Sequence, residues 1–445
     1  MSNKSTQASR QTEPSATDIG AARRAIVAGS IGHLIEWYDF VVYAYFASII
    51  ATQFFPAENA NLSLLLTFAV FGIGFIFRPL GSIIFGHIGD RHGRRNTLVI
   101  VIFTMTLATG LIGLLPTYQQ IGVAAPLLLI ALRLIQGIAA GGEFGGASSF
   151  ILEYSPANRR GYYGSFLFGM IGLSLVLGSA TSTILNAALS EDQLRSWGWR
   201  VPFLLSIGLG LIGLYIRLKL EDTPAYRAIA TKADIAKMPF VEMIRDHWRN
   251  VILVICMLLA SAVPFYVYLA YMPTYMVNTL GIPRSEAYSA NLISLIVYAL
   301  SFPIFGMLCD KIGRKPFMVL GSLLLATLSY PAFLLLTKTG VALVPLTAIL
   351  TLLALSLSLY QAPLAAVFNE FFPTRVRYSA VGFGYAVGIS VFGGFAPFLA
   401  TYLLGVTGNI YVPAFMVMAA ALITFGIVVA LVPETRGIDL KNVDR

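Results

Sequence analysis

Between residues 25 and 432 the chain repeats one pattern, an apolar run of about 20 residues or more followed by a short polar turn. That pattern leaves few folds open. No water reaches the interior of a bilayer, so a spanning segment must satisfy its own backbone N–H and C=O groups, as a helix or within a closed barrel. The runs are continuously apolar rather than alternating, which selects helices. About twelve spans are expected, at roughly 25–54, 62–89, 96–115, 126–153, 161–189, 201–220, 251–278, 286–309, 316–337, 342–370, 376–405 and 411–432. A soluble domain carries about a quarter charged residues. This chain is 57% hydrophobic and 11% charged, more apolar side chain than a water-soluble fold could cover.

The basic residues orient the spans. With the N-terminus inside, the inner segments hold 24 of the 30 lysines and arginines, while Arg195, Arg200, Arg284 and Lys338 fall outside. The positive-inside rule then places both termini in the cytoplasm. Residues 1–24 are polar and read as a disordered cytoplasmic tail, and no short apolar core with a small-residue cleavage site follows to suggest a removed leader. The net charge of +9 therefore speaks of topology and not of nucleic acid, which would need basic residues gathered on one folded face. Cys256 and Cys309 lie in apolar stretches and give neither a disulfide framework nor metal-ligand spacing. No cofactor is expected.

The longest internal polar stretch, 221–250, reads as a cytoplasmic central loop between an N-terminal bundle at 25–220 and a C-terminal bundle at 251–432, with a tail at 433–445. Short motifs recur across that split. Gly86-His87-Ile88-Gly89-Asp90-Arg91-His92-Gly93-Arg94-Arg95 returns at an offset of 220 as Gly306-Met307-Leu308-Cys309-Asp310-Lys311-Ile312-Gly313-Arg314-Lys315. Glu153-Tyr154-Ser155-Pro156 with Arg160 returns at an offset of 217 as Glu370-Phe371-Phe372-Pro373 with Arg377. A looser pair ends each half, Glu221-Asp222-Thr223-Pro224 and Pro433-Glu434-Thr435-Arg436. In the inner loops Gly93 and Gly313 permit the turn. The carboxylates of Asp90 and Asp310 can accept from the following arginines or from a helix N-terminus of the other half. Such contacts would lock the halves together, so Asp90, Arg91, Arg94, Glu153, Arg160, Asp310, Arg314, Glu370 and Arg377 are candidate gating residues.

Both copies of this loop resemble the signature of the major facilitator superfamily. Further stretches look like its metabolite:proton symporter branch, which includes osmolyte, α-ketoglutarate and shikimate carriers. They include Glu36-Trp37-Tyr38-Asp39-Phe40, Phe77-Arg78-Pro79-Leu80-Gly81, Arg133-Leu134-Ile135-Gln136-Gly137, Gly141-Gly142-Glu143-Phe144-Gly145-Gly146 and Trp197-Gly198-Trp199-Arg200. The resemblance, over roughly residues 25–435, implies an all-α membrane protein of two pseudo-symmetric six-helix bundles. It also implies alternating access about a midplane site, proton symport, and residence in a bacterial-type inner membrane.

Charges inside a span are expensive and mark function by default. Glu36, Asp39, Arg78, Arg133 and Glu143 all lie within first-half spans, whereas Asp310 and Glu370 sit at span ends. Glu36 and Asp39 are three residues apart and His33 is one turn before Glu36. Two carboxylates close together in low dielectric repel when both are charged, so one takes up a proton readily. Glu36, Asp39 and His33 are therefore the proton-coupling candidates, against a polar stripe that merely packs on another helix. Arg133 needs an anion, either a substrate carboxylate or Glu36 or Asp39. Arg78 either binds substrate or pairs with Glu143. Tyr43, one turn beyond Asp39, and Tyr268, Tyr271, Tyr298, Gln361 and Tyr385 of the second half complete the expected substrate site. Gly388, Gly393, Gly394 and Pro397 suggest a bendable eleventh span.

The glycines at 137–146 lack the Gly-Lys-Ser/Thr ending of a phosphate loop, so gradient drive is expected over nucleotide drive. No hydrolase motif appears, and an enzyme is not expected. The expected activity is proton-coupled import of a small organic acid, a mono- or dicarboxylate, by a monomer in contact with membrane lipid. Uptake of a zwitterionic osmolyte is the alternative. A sensor built on a transporter fold is a further one, disfavoured because neither end has room for a signalling extension.

Overall fold

The computed structural model describes residues 16–56, 60–231, 236–338, 342–438 and 440. Most of the expected N-terminal tail lies outside the described residues, as do Lys4, Arg10, Lys232, Lys441 and Arg445 of the inner basic set. Among the described residues there is no strand. Twelve helices among the described residues are long and apolar enough to cross a membrane. In order they are Arg24–Tyr45, Leu66–His92, Arg94–Leu114, Ala124–Tyr154, Ala157–Ala188, Gly198–Leu218, Trp248–Asn278, Arg284–Ile312, Arg314–Leu336, Leu343–Glu370, Arg377–Thr407 and Val412–Leu431, called here the first to twelfth spans.

They form two six-helix bundles joined through the fifth and eighth spans on one side and the second, fourth and eleventh on the other. The most apolar 18-residue stretches of the first span (89%) and of the seventh (72%) are largely buried, so these two face the molecular axis over most of their length. Small residues allow the close crossings. A Cβ on Gly145 would lie 2.6 Å from Gly382 Cα, backbone against backbone between the fourth and eleventh spans. Gly93 (φ +107°) and Gly313 (φ +132°) make the turns out of the second and eighth spans, a conformation that side chains resist.

Two expectations need correction. The first helix begins at Ala16, inside the stretch expected to be a tail, although Thr17, Asp18 and Gly20 are weak helix formers; it runs continuously into the apolar segment that begins at Ala25. The central segment is not a plain loop: it carries helices Pro224–Thr231 and Pro239–Asp246. The C-terminal stretch is packed through Val432, Thr435 and Leu440, all nearly buried. The bend expected in the eleventh span takes the form of a π-helical turn at Ile389–Gly393, matched by one at Tyr266–Tyr271 in the seventh, just after Pro264. Such turns mark helices carrying one residue more than the α-helical ladder holds, often near functional sites.

Candidate transport site and inner ties between the halves

The first span carries three titratable groups on adjacent turns, all essentially inaccessible to solvent: His33, Glu36 and Asp39. His33 Nδ1 lies 3.0 Å from Glu36 Oε2, and Arg78 Nη1 from the second span lies 2.9 Å from Glu36 Oε1. The break at Phe77, just before Arg78-Pro79, aims this arginine inward. Its guanidinium also lies over the rings of Phe40 (4.5 Å) and Phe75 (4.7 Å).

Asp39 reaches a different neighbour. Its Oδ2 accepts from Thr109 Oγ1 of the third span. Gln136 Nε2 donates to the same hydroxyl, and Arg133 Nη1 donates to Gln136 Oε1 at 3.0 Å. Asp39, Thr109, Gln136 and Arg133 therefore form one buried polar chain across three spans. Arg133 lies flat on Tyr43, 3.6 Å from its ring centre, and Tyr43 donates to the Thr67 carbonyl at 3.1 Å. Among the described residues no carboxylate lies within 4 Å of Arg133. Its Nε and Nη2, and Asp39 Oδ1, are buried without a hydrogen-bond partner.

Two expected pairings are thus corrected. Glu36 and Asp39 do not compete for Arg133: Glu36 pairs with Arg78, and Asp39 meets Arg133 only through Thr109 and Gln136. Positions three apart on a helix diverge by about 60°, enough to address different neighbours. Arg78 does not pair with Glu143 either. Glu143 is held by Arg217, whose guanidinium also donates to the carbonyls of Ala28 (3.0 Å) and Leu98 (2.7 Å), tying four first-half helices together.

The second half faces this centre with hydroxyls and rings. Tyr298 donates to Gln361, whose amide donates to Ser261 Oγ at 2.8 Å. Tyr268 shares a 2.6 Å hydrogen bond with Ser329. Tyr385 stacks on Phe144 of the first half, centroids 3.6 Å apart, and its hydroxyl and that of Tyr266 are buried and unpartnered. Phe75 and Tyr266 meet across the halves at 6.2 Å. Tyr271 is only partly buried and packs by Tyr275, away from these groups.

At the inner ends two related clusters tie the halves. Asp90 accepts from the backbone N–H of Tyr378 (3.1 Å) and Ser379 (2.8 Å), the start of the eleventh span, and pairs with Arg94. Asp310 accepts from Gly161 (2.8 Å) and Tyr162 (2.7 Å), in the first turns of the fifth span, and pairs with Arg314 at 2.6 Å. Each carboxylate thus caps a helix of the opposite half, where the macrodipole favours negative charge. Arg94 and Arg377 converge on Glu153 (3.4 and 2.9 Å), and Arg314 and Arg160 on Glu370 (3.5 and 3.6 Å). Arg91 takes no part: its side chain is exposed and joins no ion pair among the described residues.

The loose third repeat completes both clusters. Thr223 donates to Glu153 and Thr435 to Glu370. Asp222 caps Arg94 N (2.8 Å) and Glu434 caps Arg314 N (2.9 Å). These four residues, with Thr109, Gln136, Trp37 and Tyr266, stand beyond the sequence candidates. Their prior signals were the repeat at 221–224 and 433–436 and the two quoted runs that hold Trp37 and Gln136.

A family model described as "Sugar (and other) transporter" matches residues 25–445. The glycine betaine/proline/ectoine/pipecolic acid transporter OusA of Dickeya dadantii is 37% identical over 418 residues, 91% of this chain and 82% of that protein. The proline/betaine transporter of Escherichia coli K12 gives the same identity and coverage. A putative proline/betaine transporter of Staphylococcus aureus is 36% identical over 435 residues, 96% of this chain and 91% of that protein. Among solved structures, the major facilitator proton:xylose symporter XylE bound to 6-bromo-6-deoxy-D-glucose superposes with a TM-score of 0.80 at 18% identity, covering 96% of this chain and 99% of that one.

Proposed function

The chain belongs to the sugar (and other) transporter family of the major facilitator superfamily, and from that premise we propose that it takes up a small zwitterion, a betaine or imino acid, with protons. The observation that carries this reading is the polar chain from Asp39 to Arg133. One end offers two unpartnered guanidinium N–H groups, the other an unpartnered carboxylate oxygen. A carboxylate docks on the first and a cationic nitrogen on the second. Relatives named for proline and betaine, at 36–37% identity over nearly the whole chain, support the same substrate class. The organic acid expected first shares only the carboxylate half, so the comparisons favour the zwitterion.

Transport proceeds by alternating access, with Asp39 as counter-charge to the substrate's cationic nitrogen and the His33–Glu36–Arg78 group beside it as the proton-coupling centre. The clusters at Asp90 and Asp310 are the inner gate, formed when that side is shut. The inner side is the cytoplasm, and the protein is a multi-pass component of the bacterial inner membrane. Bundles at 25–220 and 251–432 are the moving bodies.

Calorimetry on the purified protein tests the two-ended site. Glycine betaine and proline should bind, and choline and propionate, each carrying one end alone, should bind at least ~10-fold more weakly, about 1.4 kcal/mol. Equal affinity for propionate and betaine would remove the cation end from the account.

A further inference from the structure

The segment between the halves presents a surface that neither the centre nor the inner ties use. Helix Pro239–Asp246 packs against the inner end of the second span and the start of the eleventh. Phe240 meets Phe383 edge to face at 5.3 Å, and Glu242 pairs with Arg375 at 2.7 Å. Phe383 lies six residues into the eleventh span, about 9 Å of helical rise from its inner end. The helix therefore lies at the depth of the membrane interface, not out in the cytosol.

Its outer face is apolar and open. Val241 is 49% exposed and Ile244 45%, one turn apart on the helix, and Met238 (61%) and Trp248 (48%) flank it at its two ends. The stripe runs on into Ile252, 47% exposed on the seventh span and so facing lipid. Beside it Lys237, Arg245 and Arg249 are exposed, and Arg249 sits 5.5 Å from the Trp248 ring centre. The two carboxylates of the segment are each taken by an arginine, Glu242 by Arg375 and Asp246 by Arg245. What remains is a positive edge on an apolar stripe carrying an interfacial tryptophan, a combination that suits an anionic lipid surface.

We infer that residues 237–249 dock on anionic phospholipid of the inner leaflet. Because the helix is braced on the second and eleventh spans at once, and those spans hold Asp90 and its partners Tyr378 and Ser379, docked lipid keeps that tie closed. The lipid contact is thus a brake on inward opening.

Hydrogen–deuterium exchange of the full chain tests this in nanodiscs of phosphatidylcholine with and without phosphatidylglycerol. With phosphatidylglycerol, residues 237–249 should exchange several-fold more slowly, and the amides of Tyr378 and Ser379 should slow in parallel. Lys237→Gln with Arg249→Gln should erase the difference between bilayers. Val241→Asp with Ile244→Asp should lose the protection in both. Equal exchange of 237–249 in the two bilayers overturns the proposal. So does protection there with Tyr378 and Ser379 unchanged, or protection that follows protein concentration in lipid-free detergent, which would mark a second copy as the occupant. No substrate enters the experiment, so its failure leaves the transport reading standing.

Discussion

Arg133 is a buried cation with no carboxylate within 4 Å among the described residues, while Glu36 and Arg78 hold each other at 2.9 Å. The two arginines should therefore respond differently to loss of a neighbour. Glu36→Gln strands the Arg78 charge and should cost about 3–5 kcal/mol, read as a clear drop in the melting temperature of the purified protein. Asp39→Asn breaks no direct ion pair and should fold almost as the parent does. Its affinity for glycine betaine, however, should fall at least ~10-fold while propionate binding is unchanged, because the amide offers no charge to the substrate's cationic nitrogen. Arg133→Ala should abolish uptake with folding spared. Arg133→Lys should keep the charge yet lose about 10–100-fold in affinity, since an ammonium cannot present the planar two-pronged donor. The depth and type of these residues could be read from the sequence: a charge in an apolar run is visible as such. Their partners could not. Spacing along one helix fixes relative azimuth but not which neighbouring helix lies at that azimuth, so the pairing of Glu143 with Arg217 in place of Arg78 was hidden.

At the scale of elements, the crossing of the fourth and eleventh spans depends on Gly145 against Gly382. Gly145→Leu should force these spans apart, because the atom it meets is backbone and has no rotamer to yield. Cys309 reports the result. It is fully buried beside Gly161 at the second inner tie, so in a Cys256→Ser background its alkylation by a maleimide should be slow in the parent and faster in the variant. An unchanged rate would show that the crossing does not set closure. The spans and their glycine turns were legible because hydrophobic run length and positive-φ glycines are local signals. The helix at Pro239–Asp246 was not, since its eight residues are too few for a periodic pattern to stand out from a charged loop. The start of the first helix at Ala16 escaped because Thr17, Asp18 and Gly20 give that stretch no strong helical signal of its own.

Over the whole molecule the inner ties repeat almost atom for atom: Asp90 with Arg94 and Glu153, Asp310 with Arg314 and Glu370, each sealed by a threonine from the end of its half. The central charges have no such symmetry and belong to the first half alone. The repeat offsets carried the first property into view, because a motif copied twice betrays its role twice. If the bundles move as bodies, the ties open together. Asp90→Asn, which weakens the cap on the eleventh span, should then speed alkylation of Cys309 although that thiol lies at the other tie. An effect confined to the mutated tie would argue for local fraying in place of rigid-body rocking. Proton-driven uptake of a zwitterion is tested in proteoliposomes given an inward proton gradient. Labelled glycine betaine or proline should accumulate above its external concentration, collapse on adding a protonophore, and be undisturbed by excess succinate. Accumulation of succinate without accumulation of either zwitterion, or zwitterion uptake indifferent to the gradient, would contradict the account.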